Sequence, residues 1–384
     1  MRFSPRDARF RALLYQVLAL AAVVGVLAYL VTNTIANLEA RKIASGFAFL
    51  SREAGFEIGE TSFISYGAAD NYARALLVGL ANTFRVALIG VVAATVIGTF
   101  IGFARLSSNW LVAKLSSAYI EVIRNVPLLV QLFFWYAIIS ENLPGPRQAL
   151  SPVSGVFLSN RGFAVPVIEW HAAYQWVLAA FVLALLVAWR ISAWARARQA
   201  RTGQQFHAFW TGLGIVVALP LLAFIAIGAP FRLIVPELAG FNFSGGATLT
   251  PEFAALLIGL VAYTAAFIAE IVRAGILSVH RGQTEAASAL GLRPSFVLRL
   301  VILPQALRVI VPPLTSQYLN LTKNSSLAVA IGYPDIVSIA NTAINQTGQA
   351  IEGIGIIMAV YLTISLSISA FMNWYNKRIA LVER

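Results

Sequence analysis

Apolar residues run along this chain in long blocks, separated by short polar stretches that carry most of the arginines. Crossing the hydrocarbon core of a bilayer takes about 20 mostly apolar residues. Eight stretches meet that requirement: 12–32, 74–104, 116–140, 173–190, 208–229, 251–279, 305–332 and 354–375. The pattern predicts an all-α, polytopic membrane protein with about eight transmembrane helices. The first block is too long for the apolar region of a secretory signal and no small-x-small cleavage site comes after it, so it reads as a retained helix. Residues 33–73 form the longest polar connection, and 38–57 predict an amphipathic helix lying in the membrane interface.

Composition removes the soluble alternative. Hydrophobic residues make up 59% of the chain and charged ones 11%, against about 45–50% and 25% in water-soluble domains. The mean hydropathy is +0.77. The net charge of +12 does not point to nucleic acid, because the basic residues sit between apolar blocks as the positive-inside rule requires. With the N-terminus inside, sixteen Lys and Arg fall on the cytoplasmic side and seven on the other. Both termini, and the segment 280–304, are therefore expected in the cytoplasm. Cysteine is absent, which excludes disulfides and thiolate metal sites, and His171, His207 and His280 are too far apart to suggest a ligand set.

The spans are not uniformly apolar. Arg85 lies early in the second, beside Asn82 and Thr83. Glu270 and Arg273 share a face of the sixth, and Gln317, Asn320 and Lys323 form a drifting polar stripe on the seventh, after a Pro312-Pro313 pair expected to kink it. An ionisable group in a span costs a few kcal/mol, so it faces a cavity or a partner. Two readings stay open: spans six and seven line a solute path, or Glu270–Arg273 is a structural ion pair and the stripe bonds helix to helix.

Between spans six and seven, residues 280–303 are too polar to cross and strongly patterned. Thr284-Glu285-Ala286-Ala287-Ser288-Ala289-Leu290 predicts a short helix. Gly291 allows a reversal, and Pro294 opens a second helical run expected to end before Pro304. Small side chains let another surface approach the backbone, and Glu285 offers an ionic anchor. The chain also lacks the G-x-x-x-x-G-K-[ST] loop that cradles nucleotide phosphates, since its four lysines come directly after Arg41, Ala113, Thr322 and Asn376.

Glu285-Ala286-Ala287, Gly291, Val301 and Leu303-Pro304 resemble the signature of the permease subunits of bacterial ABC importers, with Val301 where an isoleucine is usual. Three further blocks resemble polar amino-acid permeases: Tyr119 through Gln131, Tyr263 through Arg273 with Gly282-Gln283 beyond it, and Lys323-Asn324-Ser325-Ser326-Leu327. The family's five-helix core would be 74–104, 116–140, 251–279, 305–332 and 354–375. The extra N-terminal span (within 1–73) and the insertion 141–250, with two more spans, resemble one permease of the general L-amino-acid importers of Gram-negative bacteria.

The resemblance implies an inner-membrane protein that moves L-amino acids by alternating access. It implies a second, related permease, two ATP-binding subunits, and a periplasmic amino-acid-binding protein that the outer loops 141–172 and 230–250 would meet if they are more than solvated loops. ATP and Mg would belong to the partner ATPase, leaving no catalytic residue or cofactor on this chain. Glu285, Ala286, Ala287 and Gly291 would couple to that ATPase. For a zwitterionic amino acid, Glu270 would accept the ammonium, Lys323, Gln317 and Asn320 would donate to the carboxylate, and Gln131 and Tyr136 of the third span would add contacts. The basic stretch 190–207 would rest on anionic lipid head groups. The rival from another class is an ion-coupled secondary transporter, which often shows inverted repeats; none is visible.

Overall fold

The computed structural model describes residues 8–40, 45–61, 63–228 and 231–379. In chain order the helices are α1 (Ala8–Ala40), α2 (Tyr72–Arg105), α3 (Trp110–Asn125), α4 (Leu128–Ala137), α5 (Tyr174–Thr202), α6 (Ala208–Ala226), α7 (Pro251–Leu277), α8 (Arg281–Ala289), α9 (Pro294–Phe296), α10 (Leu303–Asn324), α11 (Ile336–Thr347) and α12 (Ala350–Ile379). Among the described residues seven helical stretches are long and apolar enough to cross a membrane, or eight if the bent pair α3–α4 counts as one. The predicted all-α, eight-span architecture stands.

Three local expectations are corrected. The third span is not one helix: α3 and α4 meet at 104° across Val126-Pro127. Proline disfavours helical backbone in the residue before it, and Val126 is extended (φ −98°, ψ 127°). The 38–57 interfacial helix does not form. Residues 41–44 lie outside the described residues, and beyond them the chain makes a single 3₁₀ turn, Phe47–Ser51, and then runs extended. Phe49, Ala54 and Ile58 are buried against Tyr72, Ile336 and Ile339, so this segment covers protein instead of lipid. Pro304 starts a helix instead of stopping one. The chain passes from α9 through a π turn (Val297–Ile302) straight into α10, where Pro304 occupies the first turn, the one place its missing N–H is harmless. α10 then continues through Pro312 and Pro313.

The chain divides into two compact units, Met1–Ala137 with Glu252–Arg384, and Ile138–Pro251. In the first, α2 and α7 run parallel along a seam of small residues. A Cβ on Gly98 would lie 2.7 Å from the Cβ of Ile268, and one on Gly102 would lie 2.9 Å from the Ala269 carbonyl oxygen. Close approach of this kind replaces the hydrophobic drive that is missing between helices in lipid. α10 runs the other way, with Leu321 against Gly90 and Ile310 against Gly275.

The second unit contains the α5–α6 hairpin and, where irregular loops were expected, eight short strands. These are β1 (Leu150–Val153), β2 (Val156–Ser159), β3 (Gly162–Val165), β4 (Val167–Ile168), β5 (Leu233–Ile234), β6 (Glu237–Ala239), β7 (Asn242–Ser244) and β8 (Ala247–Leu249). They pair antiparallel as β1-β2-β3-β8, β4-β5 and β6-β7. The pairing satisfies backbone groups that Gly- and Pro-rich chain would otherwise expose, and it does not change the fold class.

α11 lies between the last two spans. Asp335 caps it by accepting from the Ser338 N–H at 2.8 Å and is fully buried. Burial pushes its carboxyl up to about 7, opposed in part by backbone N–H groups and the Tyr361 hydroxyl. A carboxyl raised in this way binds a proton more tightly folded than unfolded. Its contribution to stability is complete below its unfolded value near 4 and is lost as pH rises through 7. Asp335→Asn retains a capping side chain and removes the titration. Thermal unfolding of this variant in detergent should lose much of the wild type's decline between about pH 4 and pH 7.

Candidate functional site

α8 hangs from the end of α7 by three residues. His280 caps it, its Nδ1 accepting from the Gly282 N–H at 3.1 Å. The helix closes at Gly291, whose φ of +77° is open to glycine without strain; the Leu292 N–H returns to the Ala287 carbonyl at 3.3 Å. Ala287 is buried, as is Val297 of the adjoining π turn. Gln305 holds that turn, donating to the Val301 carbonyl at 2.9 Å and reaching Gln283 at 3.5 Å. Glu285, Ala286 and Gly291 face outward, in the company of exposed Leu290, Phe296, Leu298 and Leu300. Of the four predicted coupling residues, Ala287 seats the helix and the other three belong to an apolar-rimmed surface with a carboxylate in it.

The predicted path residues do not come together. Glu270 is held by two arginines: Arg105, at the last residue of α2, contacts its Oε2, and Arg273 contacts its Oε1 at 2.6 Å. Arg105 also donates from Nε to Ser117 Oγ at 3.2 Å, tying in α3. At about 1.5 Å per residue, Arg85 and Arg105 are roughly 30 Å apart on α2, the thickness of a hydrocarbon core. Glu270 is thus held to the last residue of α2, near the end of α7 at Leu277. Lys323 lies farther along the antiparallel α10, roughly 15 Å beyond Glu270 at 1.5 Å per residue. The ammonium and carboxylate of one amino acid share a carbon, so Glu270 and Lys323 cannot hold the two together.

Gln131 also has a different task. Its Nε2 donates to the carbonyls of Ile123 (2.9 Å) and Val126 (3.0 Å), taking up backbone acceptors freed where α3 stops. Its buried Oε1 has no partner among the described residues. Tyr136 donates to Glu252 at 3.2 Å, near the start of α7.

Two exposed polar faces remain on spanning segments. On α10, Asn320 and Lys323 are exposed along with Pro312, Pro313 and Ser316, while Gln317 is half-buried. On α3, Glu121, Arg124 and Asn125 are exposed in the last turn before the break, with the Arg124 guanidinium 4.9 Å from the Phe267 ring centre. Glu121 and Arg124 lie outside the polar stripes predicted from the sequence. A helix that ends at a Val-Pro step inside a span was the available signal.

Twenty residues before Arg105 on α2, Arg85 pairs at 2.5 Å with Glu60 of the long 45–71 connection, with 3% of the Glu60 and 10% of the Arg85 side chain exposed. The Arg85 guanidinium stacks 4.0 Å from the Phe253 ring centre. Asn82 donates to the carbonyls of Glu60 (2.9 Å) and Pro334 (3.0 Å), and Thr83 accepts from the Ile336 N–H at 3.0 Å. These groups pin the connection and α11 to α2.

A family model described as binding-protein-dependent transport system inner membrane component matches residues 94–381. The chain is 50% identical over 378 residues to the general L-amino acid transport system permease protein AapQ of Rhizobium johnstonii, covering 98% of this chain and 94% of that protein. It is 53% identical over 375 residues to the putative amino-acid ABC transporter permease protein YhdX of Escherichia coli, covering 97% and 95%. To the glutamate/glutamine/aspartate/asparagine transport system permease protein BztB of Rhodobacter capsulatus it is 43% identical over 411 residues, covering 98% and 96%.

Proposed function

Because the chain belongs to the binding-protein-dependent transport system inner membrane components, we propose that it is the permease subunit of an ATP-driven L-amino-acid importer. The reading of the cargo as amino acids is supported by the names of relatives that match nearly the whole chain. The observation that carries the mechanism is the α7–α8 junction. The helix that ends in the Arg105–Glu270–Arg273 cluster runs within a few residues into a capped helix presenting Glu285. A partner ATPase that grips α8 would move α7 directly. Its two ATP-binding subunits supply the nucleotide chemistry for which this chain has no loop.

The exposed polar faces of α3 and α10 cannot be left to lipid. A second, related permease covers them, and the solute passes between the two. In this arrangement Lys323 and Arg124 attract the amino-acid carboxylate, Asn320 and Gln317 hydrogen-bond to it, and Glu121 takes over from Glu270 as acceptor for the ammonium. Glu270 becomes the clasp that couples α2, α3 and α7. A periplasmic binding protein delivers solute at the α11 end. Both termini, α8 and the α5–α6 turn lie in the cytoplasm.

The test is reconstitution with co-purified ATPase and binding protein in proteoliposomes. Uptake of labelled amino acid should require ATP and binding protein together. It should fall steeply in Lys323→Met with the ATPase still bound, and Glu285→Ala should uncouple ATP hydrolysis from uptake. Uptake driven by an ion gradient without ATPase would overturn the assignment. Since the chain has no cysteine, Gln204→Cys gives a single reporter of sidedness, expected to react with an impermeant maleimide only from the cytoplasmic side.

A further inference from the structure

The α5–α6 hairpin is built as a ruler. Tyr174 stacks on Phe224 at 6.1 Å at one end, and Trp194 packs edge-on against Phe206 at 5.4 Å at the other. Twenty residues of α5 separate Tyr174 from Trp194, about 30 Å at 1.5 Å per residue, so the two aromatic clasps stand at the two faces of a hydrocarbon core. α5 does not stop at Trp194 but runs on to Thr202, where Gly203 ends it with a φ of +71°. The basic stretch 190–207 is therefore mostly helix, with only residues 203–207 forming the turn.

That extension places Arg198 and Arg201 at the depth of lipid phosphates. Arg190, Trp194, Arg198 and Arg201 share one stripe of the helix, at i, i+4, i+8 and i+11. Arg198 is fixed on both sides, its guanidinium 5.3 Å from the Trp194 ring centre and its Nη2 donating to Gln204 Oε1 at 2.7 Å. No Asp or Glu occurs between Glu169 and Glu237, and among the described residues none of these arginines forms an ion pair. Trp194, which Arg198 covers, is 52% exposed, and Trp210 in the first turn of α6 is 68% exposed. A preorganised guanidinium fork suits a phosphate diester. The exposed Trp194 ring on the same stripe suits a glycerol backbone and acyl chain and would be wasted on free phosphate.

We propose that the Trp194–Arg198–Arg201 surface, closed by Gln204 and Phe206, is a binding site for one anionic phospholipid, its phosphate on the two arginines and its chains along Trp194 and Trp210. The site depends on the hairpin crossing the bilayer and is independent of which solute is carried.

The experiment is native mass spectrometry of the full-length chain with its co-purifying subunits, delipidated and titrated with phosphatidylglycerol or phosphatidylcholine. Wild type should retain one phosphatidylglycerol tightly and prefer it to phosphatidylcholine. Arg198→Gln/Arg201→Gln should weaken that binding about thirtyfold, while Arg232→Gln, at the far end of the hairpin, should leave it unchanged. Arg198→Lys/Arg201→Lys keeps both charges and guards against a folding or topology defect. It should bind more tightly than the glutamine pair, and equal weakness of the two would overturn the assignment. So would unchanged phosphatidylglycerol affinity in the glutamine pair, equal retention of phosphatidylcholine by wild type, or displacement of the lipid by an equal concentration of inorganic phosphate.

Discussion

Arg85→Met is expected to destabilise the protein by about 3–5 kcal/mol, the usual result of removing one partner from a buried ion pair. Only 3% of the Glu60 side chain is exposed, so the variant leaves its carboxylate buried with the Arg85 ion pair removed. The variant also loses the stacking of the guanidinium on Phe253. Thermal unfolding in detergent should show the loss as an early transition. The double variant Glu60→Gln/Arg85→Met should recover part of it, because the larger cost is a buried charge that has lost its ion pair and not the missing hydrogen bond. If the single variant unfolds with the wild type, the pair is exposed in the assembled protein.

Gly98→Leu should have a comparable effect by a different route. Already at the Cβ, the new side chain would meet the Ile268 Cβ at 2.7 Å and the Ala265 carbonyl oxygen at 2.8 Å. Neither neighbour is the movable tip of a flexible side chain. Overpacking of a tight core costs about 1–3 kcal/mol for small additions, so Gly98→Ala should fall in that range and leucine beyond it. The readout is the folded, monodisperse fraction after solubilisation. Gly355→Ala is the control: a Cβ there has open space within 4 Å, and the variant should be indistinguishable from wild type.

The spans were legible in the sequence because a bilayer demands long apolar runs, and the α8 helix because its caps, Gly291 and Pro294 are local signals. The features that stayed hidden depended on partners far apart in the chain. Glu270 looked available until Arg105, on a helix 165 residues earlier, proved to hold it. Glu60 sat in a polar connection with nothing nearby to mark it as the counter-ion of Arg85. The break at Val126-Pro127 was present in the sequence, but hydropathy averages over such a step, so α3 and α4 read as one span and Gln131 as a free amide. The 38–57 segment departs from its predicted interfacial helix for the opposite reason. Its alternation of apolar and polar residues was real, but the surface it covers belongs to Tyr72 and α11, which no local pattern announces.

α2 has 34 residues, about 51 Å at 1.5 Å per residue, against a core of about 30 Å. The stretch from Tyr72 to Arg85, about 20 Å at the same rise, matches that excess and is the part of α2 against which the connection and α11 pack. That stretch is held in a packed collar, with Phe49, Tyr72 and Ile336 in one buried cluster. Because protein contacts and not lipid set the shape of this collar, a bilayer that thickens or thins should leave its packing unchanged.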